Sequence, residues 1–478
     1  MKNRKQKYVT SGLLAVMLLM LPLATALAAA EVEPSQQTAD QVRELILKYH
    51  VSAPAENKIP KTNINEMIKD LSDPYTQYFS PEDWQSFQNQ IENHYVGIGI
   101  RLGQDEKGFY AVEVFPGSPA EKAAMKPGDY IVEVEGQPAA GKKMDQLVSS
   151  IIGPEGSSVH ITIERSGKRH VLTLSRQSIT IPVITTHYFQ NGVGYIKLSD
   201  FSSDADEKIA AQLQAWNQQG MTALVLDLRE NPGGLLDTAA NIASLFIPQG
   251  VLIHTRDRNG IDQSLEISGG SSFNKKLVVL VNNHSASASE VLTGALQDYK
   301  IATVVGTRTY GKGSVQSIFP LQDGGYLKLT VEEYLTPLKR VVNKVGLNPD
   351  IVVPDDTAQL LTALHQAGMK RLELRLADHH LTVNGQQFNT TFPSLKSNGH
   401  TFIPSRILAS LIDGTVSWNN SSKVLTIANG SGTRTFKDSI KNVKGTSYID
   451  LYWFQKSFPA FQWKQDGNSL AISASGGN

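Results

Sequence analysis

Apolar and polar positions change period several times along the chain. Gln41–Tyr49 and Ile64–Leu71 carry apolar residues at helical spacing. Leu71-Ser72-Asp73-Pro74-Tyr75 interrupts that spacing, and Ser80-Pro81 restarts it as an N-cap followed by proline at the first helical position. Residues 36–92 therefore read as a helical region. From 93 to 180 the pattern turns to strands. Tyr95–Ile100 is a glycine-interrupted β segment, Ser118-Pro119 opens a short helix, Lys126-Pro127-Gly128-Asp129 is a turn, and Val159–Glu164 alternates. Between 181 and 370, apolar strands alternate with helical stretches. The strands are Gly192–Leu198, Leu224–Leu228, Leu277–Val281 and Ile301–Val305. The helices are Asp204–Gln219, Leu236–Phe246 and Ser289–Tyr299. That alternation predicts α/β layering. Beyond 371, Leu381–Ile427 reads as short strands around one helix. The fold class expected is a multidomain α+β chain.

The N-terminal segment Met1–Ala30 changes where this chain is expected to act. Lys2, Arg4, Lys5 and Lys7 precede an apolar stretch that ends in Ala24-Thr25-Ala26-Leu27-Ala28-Ala29-Ala30. This is the layout of a cleaved export signal, and Val9–Ala30 is also long enough to remain as a membrane anchor. Either way the chain is expected outside the cytoplasm, secreted or held on the outer face of the membrane, which it touches only through this segment. With 478 residues the chain exceeds one ordinary core. Its 45 basic residues balance 45 acidic ones without a basic stripe, so nucleic acid has no electrostatic foothold. It has 0 cysteines, which excludes disulfides, thiolate metal sites and cysteine nucleophiles.

Candidate chemistry concentrates in Leu277–Gln316. A serine-rich turn, Ser285-Ala286-Ser287-Ala288-Ser289-Glu290, joins a strand to a helix, and Lys312 sits between Gly311 and Gly313 after the next strand. Serine attacks a carbonyl only when a base removes its proton, and lysine is such a base only when neutral. Burial would lower its ordinary value near 10.4. Ser287-Ala288-Ser289-Glu290 also spells a capping box, and Ser285 and Ser289 serve equally well as turn or cap residues. An acyl-transfer site further needs two N–H donors for an oxyanion. Ala288, at a helix start, offers one. Leu224–Leu236, where Asn231-Pro232-Gly233-Gly234 breaks a strand, is a candidate source of the other.

The elements SASASE at Ser285–Glu290, LQD at Leu296–Asp298 and YGKGSVQ at Tyr310–Gln316 resemble the carboxyl-terminal processing peptidases, or tail-specific proteases. The resemblance covers roughly residues 40–356. It implies Ser287 as nucleophile, Lys312 as general base, and Gln316 as a neutral partner that orients the lysine amine. The interval from Ser287 to Lys312 fits the family pattern. The resemblance places the second oxyanion donor at Gly233, with Gly234 adjacent, and a crotonase-like α/β core around the site. Asp298 reads as a structural partner. No metal or organic cofactor is implied. Lys339-Arg340 depart from the small residues common after the Tyr334-Leu335-Thr336-Pro337 element.

The β-rich segment 93–180 resembles a PDZ domain, through VGIGI, FPGSPAEKAAMKPGDYIVEVEG and ITIERSGK. PDZ domains bind peptide tails by strand addition, which makes Tyr95, Val96, Gly97, Ile98 and Gly99 the candidate carboxylate-binding loop. The expected partners are proteins or peptides with apolar C-termini. Arg165 is a candidate to pair with a bound carboxylate or with the core domain, but reads better as a solvated strand-end residue. The helical leader joins a dimer contact in some members, so a homodimer is an expectation of the resemblance. Residues 371–478 resemble the stalk-like N-terminal module of copper amine oxidases. His379, His380 and His400 there lack ligand spacing and read as solvated. That module suits contact with a cell wall or a second copy. Two other readings of the chain are an exported PDZ scaffold that does not cut and a cell-wall-binding protein.

Overall fold

The computed structural model describes residues 15–17, 35–91, 94–105, 107–377, 380–388, 390, 392–467 and 469–476. Apart from Ala15–Met17, the expected export segment lies outside these residues. Among the described residues, no helix is long and apolar enough to cross a membrane.

The N-terminal helices form where the periodicity places them. Gln36–Tyr49 buries Ala39, Val42 and Ile46, one face at helical spacing, and Ser35 caps it by accepting from the Thr38 N–H at 3.2 Å. Ile64–Asp70 is capped by Asn63, and Pro81–Ile91 by Ser80, which accepts from Asp83 N at 3.1 Å. The region is not wholly helical. Gln77–Phe79 is a strand paired antiparallel with Tyr326–Leu335. Ala39, Val42, Ile46 and Met67 share a core with Leu321, Leu327 and Leu329, so these helices pack onto a sheet built from the far end of the peptidase region.

Residues 100–175 make an antiparallel sheet with helices Pro119–Lys122 and Met144–Ile151 and a core of its own that includes Ile98, Phe109, Ile131, Leu147 and Ile161. It connects to the rest through a two-stranded ribbon of His94–Gly97 with Gln177–Thr180.

The central sheet has six strands in the order Ile184–Tyr188, Val193–Leu198, Ala223–Asp227, Lys276–Val281, Ala302–Gly306 and Ile351–Val352. The first pair is antiparallel and the rest are parallel. Successive side chains of a strand point to opposite faces. Leu224, Leu226, Val279 and Val281 pack with helices Ala205–Gln218, Leu236–Ser244 and Ala288–Asp298. Val225, Val278 and Leu280 pack the other way, against helix Asp356–Gln366. Cover on both faces is why these strands read as continuous apolar runs rather than alternating ones.

A second, antiparallel sheet has seven strands. Its main order is Gly234–Leu235, Ala15–Met17, Ser314–Pro320, Tyr326–Leu335, Gly250–Asp257 and Asp262–Ile267, with Gln77–Phe79 added beside Tyr326–Leu335. Residues 371–476 form three small sheets and two helices, Ser405–Leu411 and Leu451–Ser457. They do not carry a separate core. Leu372, Ile403, Leu408 and Phe454 are continuous with Leu360, Leu361 and Leu364 of the intervening helix and with Val225 and Val278 of the central sheet.

Candidate active site

The serine-rich turn sorts its three serines by their bonds. Ser285 Oγ donates to Leu228 O at 2.8 Å and accepts from Asn282 N at 2.9 Å. Ser289 Oγ donates to Asn231 O at 2.9 Å. Both are consumed in holding the turn against the strand-end loop. The Ser287 hydroxyl is fully buried and has no hydrogen-bond partner among the described residues. Its backbone sits at φ 58°, ψ −118°, a region non-glycine residues avoid. Holding it there costs about 1–3 kcal/mol, which surrounding contacts must offset.

Glu290 supplies those contacts. Its Oε2 accepts from Ser287 N at 3.0 Å and Lys312 N at 2.8 Å, and its Oε1 accepts from Gly311 N at 2.8 Å and the Thr309 hydroxyl. One buried carboxylate thus ties the serine turn to the lysine loop. Burial pushes the Glu290 carboxyl upward, and these four donors pull it back. The capping-box pattern is half realised: Glu290 accepts from the Ser287 N–H, while the serine hydroxyl stays free. Tyr334 adds a hydrogen bond from its hydroxyl to Ser287 O at 3.2 Å.

Lys312 is fully buried. Burial drives its amine well below the ordinary lysine value, the Lys328 cation lowers it further, and Asp73 and Glu290 oppose the shift. Its Nζ lies 4.8 Å from the centre of the Tyr75 ring. Gln316, also fully buried, donates from Nε2 to Ser314 Oγ at 3.0 Å and Thr330 Oγ1 at 3.2 Å, leaving Oε1 without a partner among the described residues.

Gly233 has φ 112°, and a Cβ there would lie 2.7 Å from Ser287 Cβ and 3.0 Å from Ala288 N. Only glycine lets this loop approach the serine so closely. Its own N–H donates to Asn231 Oδ1 at 2.8 Å. Ala288 is the first residue of its helix, so its N–H has no acceptor within the helix. Upstream, Asp227 is buried against Arg229, 2.6 Å from Oδ2 to Nη2, and takes the Tyr195 hydroxyl at 2.7 Å. This pair anchors the strand end from which the Asn231–Gly234 loop springs.

The candidate tail-binding residues are split. Tyr95, Val96 and Gly97 are paired as a strand with Ile179, Ser178 and Gln177, which leaves Ile98 and Gly99 as the turn. Ile98 O accepts from Ala120 N and Gly99 O from Phe115 N. Arg165 stays partly exposed but is also held: its guanidinium grips buried Asp129 with two bonds of 2.6 Å. Asp298 does pair structurally, with Arg340 at 2.6 Å, so the unusual Arg340 has a partner. His400 is not simply solvated, since Asp450 lies 2.7 Å away, and His379 lies outside the described residues.

Three residues beside the site were not singled out from the sequence: Lys328, Asp73 and Thr330. Glu290 was legible only as a cap. For Asp73 the one available signal was the helix break at Leu71–Tyr75.

A buried serine at a strand–helix junction, tied through one carboxylate to the loop of a buried lysine, is an arrangement suited to acyl transfer, the chemistry of the serine peptidases. Comparison with known proteins makes this specific. Residues 192–353 match Peptidase family S41, 110–165 match a PDZ domain, and 328–427 match the copper amine oxidase N-terminal domain. The carboxyl-terminal-processing protease of Synechocystis is 35% identical over 318 residues, 65% of this chain and 74% of that protein. A probable CtpA-like serine protease of Staphylococcus aureus is 32% identical over 329 residues, 68% of this chain and 66% of that protein. A putative S41 protease from Bacteroides fragilis, 19% identical, superposes with a TM-score of 0.51 over 70% of this chain and 94% of its own. The chain belongs to peptidase family S41, as a serine-type endopeptidase of the carboxyl-terminal processing kind with a PDZ domain.

Proposed function

We propose that Ser287 is the nucleophile and Lys312 its base, in an exported endopeptidase that cuts proteins selected by their C-terminal tails. The observation that carries this is the buried Ser287 hydroxyl, without a partner among the described residues, tied through Glu290 to a lysine whose amine burial pushes well below its ordinary value. Lys312 takes the hydroxyl proton as Ser287 attacks the scissile carbonyl, then passes it to the departing amine. Water reverses these steps on the acyl-enzyme. The Ala288 N–H supports the oxyanion. Gly233 joins it once its N–H turns from Asn231 Oδ1. Gln316 supports the lysine amine through its open Oε1.

The substrate enters as a strand. Ala15–Met17 pairs antiparallel with both Gly234–Leu235 and Gln316–Ser317, so the cleft accepts an added strand beside the oxyanion loop and the base. The Ile98–Gly99 turn, with Tyr95–Gly97 behind it, takes apolar C-terminal tails. We further read the central sheet as a crotonase-like core, residues 371–478 as a copper-amine-oxidase-like contact module for a cell wall or a second copy, and Met1–Ala30 as the export signal or anchor.

The test uses an unfolded protein bearing an apolar C-terminal tail. Wild type should cut it, and Ser287→Ala and Lys312→Ala should lose kcat by more than about 10³-fold while still binding the tail. Cutting that persists in either variant would overturn the assignment.

A further inference from the structure

A ring from outside the peptidase sheets covers the amine of Lys312. Tyr75 follows the helix break at Leu71 in the N-terminal helical region. Its half-buried ring has its centre 4.8 Å from Lys312 Nζ, with the amine over the ring face. That is within the reach of a cation–π contact, about 6 Å. The loop that presents the ring is held in place. Tyr75 N donates to Asp73 Oδ1 at 3.0 Å, and the Thr76 hydroxyl donates to Asp73 Oδ2 at 2.6 Å. His50, buried, places Nε2 3.3 Å from the same Asp73 oxygen. The Thr76 oxygen accepts from Thr330 N at 3.2 Å, and Thr330 O accepts from Val51 N at 3.0 Å. Thr330 stands opposite Gln316 in the pairing of their strands. The helical region thus clamps the strand beside the lysine at two points, and Tyr75 is carried on that clamp.

A ring face attracts an ammonium far more than a neutral amine. A lysine base starts the reaction neutral and becomes an ammonium when it takes the serine proton. A carboxylate in the ring's place would hold the ammonium before the reaction began. The ring attracts more weakly, and in a buried site it replaces part of the hydration that the new charge lacks. Burial pushes the Tyr75 phenol upward, so the ring itself stays neutral. The charged groups around the amine are Lys328 on the Tyr326–Leu335 strand, Glu290 on the Ala288–Asp298 helix and Asp73 beside Tyr75. They remain when the ring is replaced, so the ring's share can be read separately.

Resting on the Ser287–Lys312 reading, we propose that Tyr75 takes part in the proton transfer: its ring face stabilises the Lys312 ammonium that forms as Ser287 attacks. The N-terminal helical region then supplies a wall of the catalytic centre rather than merely preceding it.

The test compares full-length wild type with Tyr75→Phe, Tyr75→Leu and Tyr75→pentafluorophenylalanine, cutting the same unfolded, tailed protein across a range of pH. Phenylalanine keeps the ring face. Leucine keeps apolar cover without it, and the fluorinated ring keeps the shape of phenylalanine with its quadrupole reversed. An amine that loses support for its charged form has a lower pKa and stays neutral to lower pH. In the leucine and fluorinated variants the acid limb of kcat/KM should therefore move down by roughly 0.4–1.5 pH units. The plateau kcat should fall about 2- to 10-fold, with KM within about twofold. Tyr75→Phe should stay within about twofold of wild type in kcat. A ring that only excluded water would give the opposite sign, because water reaching the ammonium raises the lysine pKa. An acid limb that rises in either variant, or that coincides with the Tyr75→Phe limb, overturns the proposal. If Tyr75→Leu does not fold, the two phenylalanine forms carry the comparison. Residual cutting by Ser287→Ala in the same assay would instead overturn the reading beneath it.

Discussion

Glu290→Gln is the most informative single change, because one carboxylate meets four donors. Glutamine keeps one carbonyl oxygen and puts an NH2 where the other oxygen was. The less costly orientation keeps oxygen toward Ser287 N and Lys312 N, and sets NH2 against Gly311 N and the Thr309 hydroxyl. Thr309 can rotate to accept, although its oxygen already takes Leu347 N at 2.7 Å. Gly311 N–H cannot, and a buried donor without a partner costs about 1–3 kcal/mol. The bonds that survive fall from charge-assisted to neutral, about 1 kcal/mol each. The sum is roughly 3–5 kcal/mol of stability, read as a fall in the urea midpoint. Displacement of Gly311 moves its neighbour Lys312, and a shift on the order of 1 Å costs about 10²-fold in kcat. The assay should run where the variant is still folded. Glu290 also favours the Lys312 ammonium, so its loss should move the acid limb of kcat/KM to lower pH. A variant within about 1 kcal/mol of wild-type stability with unchanged kcat would refute the stapling role.

Two further outcomes follow from the buried charges. Lys328, brought to about 8 by burial and packed on the Phe79 and Phe87 rings, pushes the Lys312 amine down, while Asp73 and Glu290 push it up. Replacing Lys328 by Met removes the like charge, so the Lys312 pKa should rise. Activity should then fail at a higher pH on the acid side, and a pH–rate profile with an unmoved or lowered acid limb would contradict this. Arg229→Met leaves Asp227 buried without its cation and should cost about 3–5 kcal/mol in chemical denaturation, whereas changing both to apolar residues should restore much of it. A loss no smaller in the double variant would show that the pair is not the unit that matters.

Local pattern alone determined much of this protein. Apolar period placed four of the six strands of the central sheet and three of the four helices packed on it, because each buries a face whose spacing is written in neighbouring residues. The order of Ser287, Lys312 and Gln316 pointed to the candidate site, because all three lie within one short stretch of chain, while Glu290 was legible there only as a cap. The tertiary structure decided what depends on residues distant in the chain. It freed Ser287 by giving Ser285 and Ser289 to the loop around Asn231. It made a cap residue into the bridge between Ser287 and the Lys312 loop, and it tied Gly233 N–H to Asn231. It merged the C-terminal module with the underside of the central sheet, so a cut near residue 371 would expose Leu360, Leu361 and Leu364 rather than release a separate unit. It also brought Thr76 to the Thr330 N–H, and Gln77–Phe79 to the distant strand Tyr326–Leu335. Hydrogen bonds and sheet pairing across such separations leave no period in the sequence, since either partner alone looks like an ordinary turn or edge residue.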